Sequence, residues 1–128
     1  MIHHLKPVLI SAVLLIMFSF SMHCPNAGAQ APFKAVKVTF VEIGAAKCIP
    51  CKMMQPIMKE VGEEYKGQVK VLFHDVWTQQ GKIDALKYNI RMIPTQVFLD
   101  KDGKEYFRHE GYFPKEDLVS VLKMRGVK

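Results

Sequence analysis

The chain has 128 residues, a formal charge of +6 and 49% apolar residues. This is one domain's worth of sequence with an ordinary globular balance, so a second folded domain and a mainly disordered chain are both excluded. The excess of cations contains no consecutive Lys/Arg pair, which argues against a nucleic-acid patch, and three cysteines (Cys24, Cys48 and Cys51) are too few for a disulfide-dense scaffold or a four-thiolate zinc site.

The N-terminus reads MIHHLKP, then an uncharged apolar run from Val8 to Met22, then small residues in an A-x-A arrangement at Ala27-Gly28-Ala29 or Ala29-Gln30-Ala31. A weakly basic start, a short apolar stretch and a small-residue site predict a secretory signal peptide over residues 1–29. The apolar run falls short of the roughly 20 residues of a spanning helix, and an uncleaved membrane anchor is the competing reading. Lipid attachment at Cys24 is disfavoured by His23, which stands where a small residue is usual. Cleavage after Ala29 leaves residues 30–128, enough to bury a sufficient core without staples. The expected location is therefore extracytoplasmic or periplasmic, with tethering if the leader is kept. Disulfides persist there, and the one remaining pair of thiols is Cys48 and Cys51.

Val36 to Ile43 is β-branched and aromatic and reads as a buried strand, central in a parallel sheet. Gly44-Ala45-Ala46-Lys47 breaks it. From Cys48 to Tyr65, Met54, Ile57, Met58 and Val61 recur at helical spacing, and Gly67 marks the stop. Val69 to Val76 is a second strand. Thr78 to Tyr88 reads as a helix with Thr78 as N-cap and Ile83, Ala85 and Leu86 inward. Thr95 to Leu99 and Glu105 to His109 form a hairpin around the Asp100-Lys101-Asp102-Gly103 turn, whose charges are a solvated tip. Lys115 to Met124 is an amphipathic helix carrying Leu118, Val119 and Leu122. The order is β-α-β-α-β-β-α, an α/β class in which a right-handed parallel crossover followed by an antiparallel hairpin gives a central mixed sheet flanked by helices.

Cys48-Ile49-Pro50-Cys51 follows a strand and opens a helix. Residues three apart share a helix face, within reach of a disulfide. Cys48 falls at the helix N-terminus, where unpaired N–H groups favour a thiolate, and Lys47 and Lys52 add positive charge. Cys51, one turn in, is the more buried, resolving thiol. Pro50 is tolerated in the first turn. A purely structural disulfide is a poor reading, because closing so short a loop restrains little of the unfolded chain. A metal site with His74 and His109 is the rival, but the two lack finger-like spacing. Glu42 lies among Phe40, Val41 and Ile43, so burial is expected to raise its pKa. Met53, Met54 and Met58 spread over different helix faces and read as core filling and helix surface. Trp77 is expected to pack near the active site.

From Val36 to the C-terminus the chain resembles the thioredoxin superfamily. Cys48-Ile49-Pro50-Cys51-Lys52 is similar to that family's C-x-P-C-K site. Pro56 matches the proline within its active-site helix, Glu42 its buried acid, Ile93-Pro94-Thr95 the segment around its cis-proline, and Gly111 the glycine after its final hairpin. The chain departs from the pattern at Lys47, where an aromatic is usual, and at Ile49, where glycine is usual. The first β-α unit is absent, which implies a minimal form of the fold.

The resemblance implies an exported thiol–disulfide oxidoreductase. Its Cys48 would be the nucleophile, Cys51 the resolving thiol and Glu42 the proton relay. A cis Pro94 would expose the Ile93 backbone to an extended substrate, rimmed by Ile49, Pro50, Met92 and Tyr112. The dithiol carries the electrons, so no cofactor is implied. Pro50 and Ile93 resemble reducing members, so the expected direction is reduction of protein disulfides, apocytochrome c cysteines among the candidate substrates. A membrane thiol electron transporter would recharge a protein that works as a monomer. The alternatives are an oxidase or isomerase of the same fold, or a redox-inactive binding module or metallochaperone.

Overall fold

The computed structural model describes residues 35–128; the predicted signal peptide lies outside these residues. Four strands run β1 (Val38–Gly44), β2 (Val69–Asp75), β3 (Thr95–Leu99) and β4 (Glu105–Glu110). Three helices, α1 (Ile49–Glu64), α2 (Gln79–Lys87) and α3 (Lys115–Lys123), complete the order β-α-β-α-β-β-α. The sheet order is β2-β1-β3-β4. β1 pairs parallel with β2 but antiparallel with β3, so the sheet is mixed, as the crossover and hairpin predict, and β1 is parallel on one side only.

β1 is buried on both faces, and its alternation assigns each face. Val38 and Phe40 join the cluster under α1 and α3, together with Met54, Ile57, Met58, Val61, Phe98, Leu118, Val121 and Leu122. Val41 and Ile43 face α2 with Ala85 and Val97. Phe40 and Phe98 are register partners on the α1 face and their rings stack at 5.1 Å between centroids. In α3, Val121 takes the buried place that the sequence reading gave to Val119, which packs on the rim of the core.

Three readings are corrected. The inner face of α2 is not built from Ile83 and Leu86. Leu86 is 79% exposed and Ile83 is exposed too; the buried residues are Gly81 and Ala85. Small residues one turn apart let the helix lie close on the sheet, which turns the larger side chains outward. Trp77 does not pack near the site: it is exposed, and its backbone N–H donates to Asp75 Oδ1 at 2.9 Å. Val36 also lies outside β1, which begins at Val38.

At the end of the sheet away from the cysteines, the buried Gln68 amide joins distant parts of the chain. Its Oε1 accepts from Lys37 Nζ at 3.3 Å and from the Lys128 N–H at 3.1 Å, and its Nε2 donates to the Lys128 carbonyl at 2.7 Å.

The same substitution is expected to have opposite signs at two helical glycines. A Cβ at Gly81 would stand 1.9 Å from the Asp75 carbonyl oxygen, backbone that cannot swing aside. Gly81→Ala should lose about 2 kcal/mol or more in urea unfolding, the overpacking cost outweighing the better helix propensity of alanine. At Gly62 the added Cβ meets only Val71 Cγ2, at 3.5 Å, an ordinary contact. Gly62→Ala should gain about 0.5–1 kcal/mol in the same measurement.

Candidate active site

The loop after β1 delivers Cys48 to the start of α1. The Cys48 N–H donates to the Ala45 carbonyl at 3.1 Å, closing a turn. Cys48 is then the N-cap, with extended backbone (φ −76°, ψ 124°), and its sulfur accepts from the Cys51 N–H at 3.4 Å. The sulfur therefore does at this helix end what a serine hydroxyl or an aspartate carboxylate usually does, meeting one of the unpaired N–H groups. Pro50, in the first turn, removes an N–H that would have had no partner. Pro56 lies within the same helix.

Cys48 and Cys51 form a disulfide, with Cα atoms 5.2 Å apart. Their surroundings differ. Cys48 is half-buried beside the exposed Lys47, Ile49 and Pro50, whereas Cys51 is 1% exposed. An attacking sulfur reaches Cys48 and not Cys51. Lys47 and Lys52 are both exposed and flank the pair.

Cys51 is sealed against the end of β1. A Cβ built on Gly44 would lie 3.1 Å from Cys51 Sγ and 3.4 Å from Phe73 Cε2. The sulfur rests over the backbone of a residue with no side chain. Two residues earlier, on the same face of the strand, is Glu42. Its carboxyl is fully buried, with Oε1 accepting from Gln96 Nε2 at 3.4 Å and Oε2 without a partner among the described residues. Burial pushes the Glu42 pKa up from the ordinary 4.5 to about 8, and the hydrogen bond from Gln96 opposes this only in part.

β1 runs antiparallel to β3 with Ile43 opposite Thr95, so Pro94 enters the sheet at the same end as the cysteines. The Ile93–Pro94 peptide bond is cis. Three contacts hold this loop. Thr95 Oγ1 donates to the Met92 carbonyl at 2.7 Å, the Gly111 N–H donates to the Pro94 carbonyl at 2.8 Å, and Arg91 makes a two-pronged contact with Glu110 at 3.2 and 3.0 Å. The Gly111 bond ties the Tyr112 loop to the proline loop. Ile49 (75% exposed), Met92 and Tyr112 are all exposed apolar side chains, and Ile93 is half-buried. Met92 and Ile93 also line a groove of about 600 Å³ along α2, with Val76, Ala85, Leu86 and Ile90.

His74 and His109 do not meet. His74 pairs in register with Ile43 on the α2 face and lies 3.3 Å from Asp84, while His109 pairs with Gln96 on the opposite face and stacks on Phe113 at 4.2 Å. Met54 and Met58 are buried and Met53 is exposed. Gly44 and Gln96 are the site residues that the sequence reading did not single out. Gln96 was visible only as a polar residue sharing the inward face of β3 with Phe98, and its partner emerges only with the register.

A helix-capping, accessible sulfur disulfide-bonded to a sealed one, on this β-α-β-α-β-β-α frame, defines a thiol–disulfide oxidoreductase. The thioredoxin family model matches residues 30–124. The thioredoxins of Staphylococcus aureus strains Mu50, MW2 and N315 are each 36% identical over 85 residues, covering 66% of this chain and 79% of theirs. The chain belongs to the thioredoxin family. Members of this family act on protein disulfides with their own dithiol and need no bound cofactor.

The Glu42 carboxyl has a signature in stability. In the folded state it keeps its proton up to about pH 8, while in the unfolded chain it ionises near 4.5. Between these values the folded state binds more protons, so stability falls as pH rises. The oxidised protein should lose about 3 kcal/mol from this group between pH 4.5 and 7, and Glu42→Gln should abolish that loss. Urea titrations of both proteins at a series of pH values measure the difference.

Proposed function

We propose that this protein is an exported reductase of protein disulfides. The observation that carries the reading is the asymmetry of the pair: a half-buried Cys48 sulfur on the N-terminus of α1 and a sealed Cys51 behind it. In the reduced protein the unpaired N–H groups and the helix dipole stabilise the Cys48 thiolate. The thiolate attacks one sulfur of a substrate disulfide. The substrate S–S bond breaks, one substrate thiolate leaves, and Cys48 is held in a mixed disulfide. Cys51 gives its proton to the Glu42 carboxylate and attacks the Cys48 sulfur. The second substrate thiolate leaves, the Cys48–Cys51 disulfide forms, and two electrons have passed to the substrate. A carboxyl pushed up to about 8 suits this relay, because it can both take and return a proton near neutral pH.

The Ile93 backbone beside Pro94 offers hydrogen bonds to an extended substrate, and Ile49, Pro50, Met92 and Tyr112 supply an apolar rim. Their exposure supports this reading. Export is supported by the apolar leader and its A-x-A site within residues 1–29. A reductase outside the cytoplasm needs a source of electrons, and a membrane thiol electron transporter fits; exported cysteines such as those of apocytochrome c fit as substrates. The protein would act as a monomer.

The reduction potential of the pair, measured by thiol trapping across a redox buffer series, tests the direction. A value close to about −270 mV supports the reductase, and one close to about −120 mV would make the protein a disulfide donor instead. Cys48→Ser should abolish turnover, and Cys51→Ser should accumulate the mixed disulfide on non-reducing gels. N-terminal sequencing of the protein recovered from a bacterial envelope should begin at Gln30, and an intact Met1 would retain the leader as an anchor.

A further inference from the structure

Gln96 is a fully buried amide in β3, the register partner of Glu42. Its Nε2 is shared between Glu42 Oε1 at 3.4 Å and the Gly111 carbonyl at 3.1 Å, and the Gly111 N–H is itself bonded to the Pro94 carbonyl. The amide is thus pinned on one side by the proline loop and aimed on the other at the acid. Glu42 Oε2 and Gln96 Oε1 are the two buried side-chain polar atoms left without a partner among the described residues. Both belong to this one cross-strand pair, on the sheet face where Cys51 rests against Gly44.

We propose that Gln96 is the positioning residue for proton transfer at Cys51, supplying the one donor that lets the buried Glu42 carboxyl ionise. This rests on Glu42 serving as proton acceptor for Cys51. A buried carboxylate commonly needs two or three donors; this one has a single long bond, so removing it leaves the anion with none. The acid then keeps its proton to higher pH and cannot accept the one Cys51 must lose. Among the described residues the side chains around the pair are mostly apolar. The inward side chains of α1 besides Cys51 are Met54, Ile57, Met58 and Val61, and those of α3 are Leu118, Val121 and Leu122. From β2, Phe73 pairs with Glu42, and Asp75, beside Gly44, spends Oδ1 on the Trp77 N–H. From β4, His109 lies beyond Gln96 and is bonded to the Tyr112 carbonyl.

The test is the pH dependence of the resolving step in the full chain. Reduced protein is mixed with a synthetic peptide disulfide in single-turnover stopped flow from pH 5 to 10, and release of the second peptide thiol is followed. Gln96→Met, similar in size but without donor or acceptor, should move the midpoint up by about one unit and slow resolution roughly tenfold at pH 7. Gln96→Asn, an amide one methylene shorter, should move it in the same direction and serves if the methionine variant does not fold. In a Glu42→Gln background neither change should move the profile, which a merely structural effect would not respect. Unmoved midpoints with Glu42 present, or equal shifts with and without it, overturn the assignment of Gln96 alone. A Glu42→Gln protein with the parent's profile overturns the relay, and the assignment with it.

Discussion

Cys51 lies against the backbone of Gly44, where any side chain would come within 3.1 Å of its sulfur. That contact fixes how near the first turn of α1 can sit to the end of β1. Because it is close, the inner sulfur is sealed from solvent, the outer sulfur is left at the helix N-terminus, and a carboxyl two residues back along the strand shares the inner sulfur's surroundings. The difference between the two cysteines is thus set by the strand beneath them as much as by the helix that carries them.

The α1 face of β1 and β3 changes character along its length. At one end Phe40 and Phe98 stack in the main core. One step further the pair is Glu42 and Gln96, and the step after that is bare glycine under sulfur. Placing an ionisable group on a strand buried on both faces costs stability across the pH range where the unfolded chain ionises and the fold does not. The apolar column below can offset that cost: deleting one large aromatic from such a core typically costs about 3–5 kcal/mol, as much as the carboxyl takes away. Chemistry and core share one pair of strands without a separate scaffold for each.

The order of elements and the cysteine site were legible in the sequence because each rests on local signals: β-branched runs, helical spacing at Met54, Ile57, Met58 and Val61, the Asp100–Gly103 turn, and a C-x-P-C at a strand–helix junction. The errors lie where tertiary packing decides. Ile83 and Leu86 have the spacing of an inner face, but Gly81 and Ala85 allow a closer approach of α2 to the sheet and take their place. Trp77 was expected to pack, yet its segment turns at the end of β2 and leaves the ring exposed. Gln96 could not be assigned from the chain alone, because its meaning depends on which residue of another strand stands opposite.

The two ends of β1 are anchored in different ways. At the end with the cysteines the strand meets the helix through sulfur resting on glycine, and β3 through the long Gln96–Glu42 hydrogen bond. At the other end the Gln68 amide ties the approach to β1, the turn before β2 and the backbone of Lys128 into one knot. A single buried side chain thereby couples fraying of the C-terminal residues to fraying of the β1–β2 pairing, since neither can open without stranding the amide's polar atoms. Local opening at that end is cooperative, so the sheet is clamped furthest from its chemistry. The proline loop at the opposite end is held separately, by the bonds from Thr95 to Met92 and from Gly111 to Pro94.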